Sequence, residues 1–132
     1  MFGDKAILGN RETKLDERGR MIIPKFTGVE ENDQLVIQKS YIGNFYVIVN
    51  LTDIKNKVKR FEDLNQEFLK ERLLSSVVGV VKVDKQNRIF FKDFKNFAID
   101  RKLFFHGSLD SLQVFKREQD YLDHVEHIKK NR

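Results

Sequence analysis

Apolar positions along this chain fall mostly into short runs separated by polar turns. Thr13 to Leu15 leads into the polar Asp16-Glu17-Arg18-Gly19, and Arg20 to Ile23 then forms a brief apolar stretch ended by Pro24, which predicts strand, turn and strand. Leu35-Val36-Ile37, the turn Ser40 to Asn44, and Phe45 to Val49 follow. The last of these is dense in β-branched and aromatic residues and predicts a second hairpin. Beyond Asn50, Ile54, Val58, Phe61, Leu64 and Phe68 recur every three or four positions, so a helix from about residue 52 to about 72 carries one apolar face.

The same order then returns. Val77 to Val83 reads as strand, Asp84 to Asn87 as a loop, and Arg88 to Phe91, Leu103 to Phe105 and Leu112 to Phe115 as strands, before a helix through Tyr121, Leu122, Val125 and Ile128. The correspondence runs at a constant offset of 68, with Asp16 falling on Asp84, Arg20 on Arg88, Phe26 on Phe94, and Leu35 to Ile37 on Leu103 to Phe105. One residue is then dropped, and Phe45 to Ile48 align with Leu112 to Phe115. An internal repeat has to be read before the fold is assigned. The expectation is an α+β fold, mainly β, built from a ββββα unit used twice, with halves at residues 1–72 and 73–132.

Halves of about 65 residues would each be marginal alone. Four short strands standing as a separate flat sheet would also expose hydrophobic edges. Interleaving the two copies into one closed or nearly closed sheet removes both problems, and sets the two equivalent loops about a pseudo-twofold axis. A pair of like surfaces suits a repetitive or symmetric ligand better than a small-molecule pocket.

The loops carry their own chemistry. Asp16 and Asp84 each begin a turn, where a carboxylate can accept from backbone N–H groups two residues on. Gly19 supplies a positive φ, and Asn87, its equivalent, is the next-best residue for that conformation. Arg20 and Arg88, four residues after the aspartates, can either pin the loop or reach a ligand, and one guanidinium with five donors can do both.

Charge sharpens this picture. The net charge is +5 and the pI near 9.4, which suits an anionic partner. Lys14, Arg18, Arg20 and Lys25 gather around the first loop, and Lys82, Lys85, Arg88, Lys92 and Lys95 around the second. Lys14, Arg18 and Lys85 have no obvious structural partner in the sequence and are candidates for phosphate contacts, which position a protein without reading bases. Base reading would come from a β-ribbon or loop entering a groove, since neither helix looks like a recognition helix, and Arg18 or Arg20 could bond bidentately to guanine.

Other functions find less in the chain. There is no cysteine, hence no disulfide framework and no thiolate metal site. No run approaches the roughly 20 apolar residues of a membrane span, and residues 1–9 lack a signal peptide's apolar region, so the chain reads as soluble and intracellular. His124 and His127 are three apart on the last helix, but no third ligand is evident. No nucleophile elbow, phosphate-cradling glycine loop or zinc spacing occurs, which argues against an enzyme and a cofactor. Phe90, Phe91, Phe94, Phe97, Phe104 and Phe105 could form a stacking platform for single strands, yet they fall in runs that a buried core or a subunit seam would use.

Leu15 to Pro24 with Phe26, and Val83 to Ile89, resemble the two signature segments of the MraZ family of bacterial transcriptional regulators, related to the SpoVT/AbrB swapped-hairpin proteins. The stretches between are also similar to that family, and the resemblance covers about Leu8 to Val125. Arg18 stands where the family usually has Lys, Asn87 where it has Gly, and Lys92 where the second copy usually has Pro. The resemblance implies a pseudo-twofold swapped-hairpin barrel with peripheral helices, assembled as a homo-oligomeric ring in the cytoplasm at the nucleoid. It would bind repeated boxes of double-stranded DNA upstream of its own operon of division and cell-wall genes. Asp16, Arg20, Asp84 and Arg88 would be its signature residues. The alternative is a protein-interaction or scaffold module whose loops meet an acidic protein, and a weaker third option is an AbrB-like antitoxin.

Overall fold

The computed structural model describes residues 9–24, 27–108 and 110–131. The first half supplies β1 (Gly9–Lys14), β2 (Arg20–Ile22), β3 (Gln34–Lys39), β4 (Tyr46–Asn50), α1 (Leu51–Asp63) and α2 (Glu67–Ser76). The second supplies β5 (Val77–Lys82), β6 (Arg88–Phe90), α3 (Lys92–Phe97), β7 (Lys102–Ser108), β8 (Ser111–Phe115) and α4 (Glu118–Lys130). The fold is α+β, with four helices around a mostly antiparallel sheet.

Strands of the two halves are interleaved in the sheet, the hairpins β3–β4 and β7–β8 standing side by side at its centre. The six-stranded sheet has the order β1-β7-β8-β4-β3-β5, and β2 pairs with β6 in a separate two-stranded ribbon. Exchanging each strand for the one four places later in the chain turns the first order into its own reverse, and turns the β2–β6 ribbon into itself. Pairing across the halves is therefore as expected, whereas closure into one sheet is not. Strands as short as β2 and β6, three residues each, make too few ladder bonds to bridge the larger sheet's edges, and they pack over its face instead.

The burial pattern explains why the strand sequences lack simple alternation. Leu35, Val36 and Ile37 are all buried because both faces of β3 are covered. Leu35 and Ile37 join Met21, Ile48, Ile89, Leu103, Phe105, Leu112 and Val114 in the main core between sheet and ribbon. Val36 instead packs with Val49 and Ile54 beneath α1, and Phe104 with Phe45, Phe115 and Tyr121 beneath α4. Tyr46 is a hub of the main core, its ring edge-on to Phe91, Phe94 and Phe97 at 5.7, 5.3 and 4.9 Å. Such aromatic pairs add to the area they bury.

Two elements differ from the expected ββββα units. The helix expected over 52–72 is two helices, because Asn65 adopts φ 55° and the chain closes a Schellman turn with Gln66 N–H donating to Phe61 O at 2.7 Å and Asn65 N–H to Glu62 O at 3.1 Å. Residue 72, where the sequence divides the halves, lies inside the second of them. The second departure is α3, whose six residues are too few to show a helical period. It forms because Phe91, Phe94 and Phe97 all turn into the core. Phe26, the expected counterpart of Phe94, and Lys25 lie outside the described residues. No helix among the described residues is long and apolar enough to cross a membrane.

Phe94 is fully buried and Phe68 on α2 is 74% exposed. Phe94→Ala is expected to lower unfolding free energy by about 3–5 kcal/mol, and Phe68→Ala to change it by less than about 0.5 kcal/mol. Urea denaturation of both variants measures the difference.

Candidate functional site

Each Asp-x-x-x-Arg segment folds into a turn held by its own first residue. Asp16 N–H donates to Arg20 O at 3.0 Å and Gly19 N–H to Asp16 O at 2.9 Å, and the second loop repeats both bonds, Asp84 to Arg88 at 2.9 Å and Asn87 to Asp84 at 3.1 Å. The left-handed position falls where the sequence indicated, at Gly19 with φ 83° and Asn87 with φ 58°. A Cβ on Gly19 would sit 3.6 Å from Lys95 Cβ and 3.7 Å from Phe90 Cε2, which is ordinary contact. Glycine is favoured there by φ and not by space.

The aspartates are acceptors for three donors each. Asp16 Oδ1 accepts from the N–H groups of Arg18 and Arg20 at 2.9 and 2.8 Å, and its Oδ2 from Arg20 Nε at 2.6 Å. Asp84 does the same with Gln86, Arg88 and Arg88 Nε, all at 2.9 Å. Donors to a carboxylate favour its charged form. The Arg20 N–H holds the Asp16 carboxyl below its ordinary range, aided by the Arg20 side chain against a smaller desolvation effect. At Asp84 desolvation acts upward, but the Arg88 N–H, the Arg88 side chain and the Gln86 N–H together carry the carboxyl down.

The β2–β6 ribbon sets the two loops side by side. Arg20 lies opposite Phe90, Met21 opposite Ile89, and Ile22 opposite Arg88. Met21 and Ile89 are buried, so Arg20, Ile22, Arg88 and Phe90 share the outer face. Arg88 Nη1 comes within 3.9 Å of Asp16 Oδ2, an ion pair from one loop to the other. Nε of each arginine is committed to its own aspartate, while the Nη groups make no hydrogen bond among the described residues. Ile22 and Phe90 are 55% and 52% exposed beside them.

Lys14, Arg18 and Lys85 are exposed, and none has an ion-pair partner among the described residues. Lys14 lies opposite Lys102 in the β1–β7 pair. It shares an open groove of about 590 Å³ with Arg11, Ile22, Gln86 and Asn87. Arg11 escaped the sequence reading because the first strand was expected to begin only at Thr13. Ile22 escaped it because a three-residue apolar run does not reveal which member faces out, while Phe90, one of the aromatics considered for stacking, is the one of that set left half exposed on this face.

His106 and His124 are packing groups, while His127 is exposed. His124 lies 4.8 Å from the Phe45 ring and His106 4.2 Å from Tyr121, in the layer that seats α4. Burial lowers the pKa of both, with His124 adding to the effect at His106 and His127 at His124. No cluster of three metal-ligating side chains occurs among the described residues.

Comparison of the chain with models of protein families found no match, and comparison with curated proteins found none either.

The loop geometry has consequences that stability measurements can read. Gly19→Ala is expected to cost about 1 kcal/mol or more, and Asn87→Gly to change stability by no more than a few tenths, as thermal melts would show. The lowered carboxyl pKa values at Asp16 and Asp84 contribute stability that is present above the unfolded-state value near 3.8 and lost as pH falls through the folded values. The Asp16→Asn/Asp84→Asn variant should therefore melt below the parent at pH 7 and converge with it below that window, in a series of melts against pH.

Proposed function

We propose that this chain is a DNA-binding transcriptional regulator of MraZ type, a duplicated swapped-hairpin protein of the SpoVT/AbrB superfamily acting as a homo-oligomer. The observation that carries the reading is the pair of like Asp-x-x-x-Arg loops held side by side by the β2–β6 ribbon, with guanidinium Nη groups that make no hydrogen bond among the described residues and exposed cations around them. Cross-half pairing of β1 with β7, β3 with β5 and β2 with β6 supports the swapped-hairpin assignment.

In this reading the aspartates shape the loops and do not touch the ligand. Lys14, Arg18 and Lys85 bind phosphates, and the Nη groups of Arg20 and Arg88 extend from a two-stranded ribbon of the kind that a major groove admits. The function involves no catalytic step and no cofactor. Exposed Ile22 and Phe90 favour one second reading, in which the same face meets an acidic protein with an apolar patch.

Fluorescence anisotropy distinguishes the two. The duplex upstream of the protein's own gene should bind tightly and a scrambled duplex of equal length weakly, with a steep dependence on salt. Lys14→Ala/Arg18→Ala/Lys85→Ala removes no ion pair among the described residues, so it should keep the fold and flatten the slope of log affinity against log salt by about 0.9 per lost contact. Equal weak binding of both duplexes would turn the assignment to a protein partner.

A further inference from the structure

A second feature lies away from the loops, where the tip of the β3–β4 hairpin faces the α1–α2 pair. The groove between them is open to solvent and offers about 540 Å³, within the size range of small-molecule sites. Its floor is apolar, formed by Val47, Phe61, Leu69 and Leu73. Its walls are tied across: the Tyr41 hydroxyl, on the hairpin tip, donates to Arg72 O on α2 at 2.6 Å and lies 2.8 Å from Ser75 Oγ. The Arg72 guanidinium stacks over the Tyr41 ring at 5.1 Å. Gln38 Nε2 adds a bond to Ser76 Oγ at 3.0 Å, so the groove is formed before any ligand arrives.

The charge around this floor is one-sided. Lys39, Lys57, Arg60 and Arg72 line the groove and no Asp or Glu does. None of the four cations has an ion-pair partner among the described residues, although Lys70, on the same helix as Arg72, pairs with both Glu62 and Glu67. Acidic residues are thus available on α1 and α2 but directed elsewhere. An apolar trough rimmed by unpaired cations complements a molecule with an apolar body and an anionic head.

We propose that this groove binds a small amphipathic anion, a medium-chain acyl carboxylate, with the chain along Val47, Phe61, Leu69 and Leu73 and the carboxylate among Arg60, Arg72 and Lys57. The site is separate from the Asp-x-x-x-Arg loops and does not depend on what they bind. The floor supplies most of the affinity through apolar burial. The exposed cations supply orientation and selectivity for negative charge, because solvent screening keeps each such contact weak.

Isothermal calorimetry of the full chain with sodium decanoate, below its micellar concentration, tests this. Decanoate should bind at one site, and decyltrimethylammonium, with the same tail and the opposite charge, should not. Arg60→Ala/Arg72→Ala should weaken decanoate roughly fivefold, and Leu69→Glu, a change at an already exposed position, should abolish binding while circular dichroism shows the fold retained. No decanoate binding by the parent chain, equal binding of the cationic amphiphile, or unchanged binding by both variants would overturn the assignment. Binding of an acidic amphipathic peptide where decanoate fails would overturn it too, in favour of a protein partner.

Discussion

Each half of this chain depends on the other for its hydrogen-bond partners. β1 finds its neighbour in β7, β5 finds its neighbour in β3, and the ribbon of β2 and β6 takes one strand from each half. Leu15 N–H donates to Arg101 O, and Val83 N–H to Asp33 O, so even the bonds that lead into the two loops cross between halves. Unpaired backbone groups in a core this apolar would be costly. The chain therefore folds as one unit with a shared core, and the position of each loop is fixed by the other half.

That constraint also builds the candidate functional face. An isolated Asp-x-x-x-Arg turn would be a small self-satisfied loop, its carboxylate occupied by backbone N–H groups and by the arginine that follows. The short β2–β6 register, centred on Met21 and Ile89, brings two such turns close enough for Arg88 to reach Asp16. The resulting surface carries two guanidinium groups whose Nε positions are fixed and whose outer nitrogens make no hydrogen bond among the described residues. Arginines held in this way lose little further freedom on binding, which favours recognition of a planar or phosphate-bearing ligand.

The sequence made the repeat, the strands and the turn chemistry legible, because a glycine and an asparagine at equivalent positions and two aspartates at equivalent positions admit few alternatives. It did not show α3, since six residues around Phe94 and Phe97 carry less than two helical turns of pattern. It did not show the break at Asn65, because the apolar period of α1 runs on toward Phe68 across a residue that can continue a helix or cap one. Long-range consequences were hidden for another reason. The placement of Lys14 and Arg11 beside Gln86 follows from strand order, which is set by edges and core packing and not by any local signal. The amphipathic groove at Tyr41 was invisible for the same reason, its walls coming from a hairpin tip and two helices separated in the chain.

Two loops held by one ribbon should meet a ligand as one surface. An amide-resolved NMR titration of the protein with the duplex upstream of its own gene tests it most directly. Signals from residues 16–20 and 84–88 should shift together at the same stoichiometry, with α1 and α2 unaffected. Shifts confined to one loop, or centred on the helices with the loops silent, would contradict it.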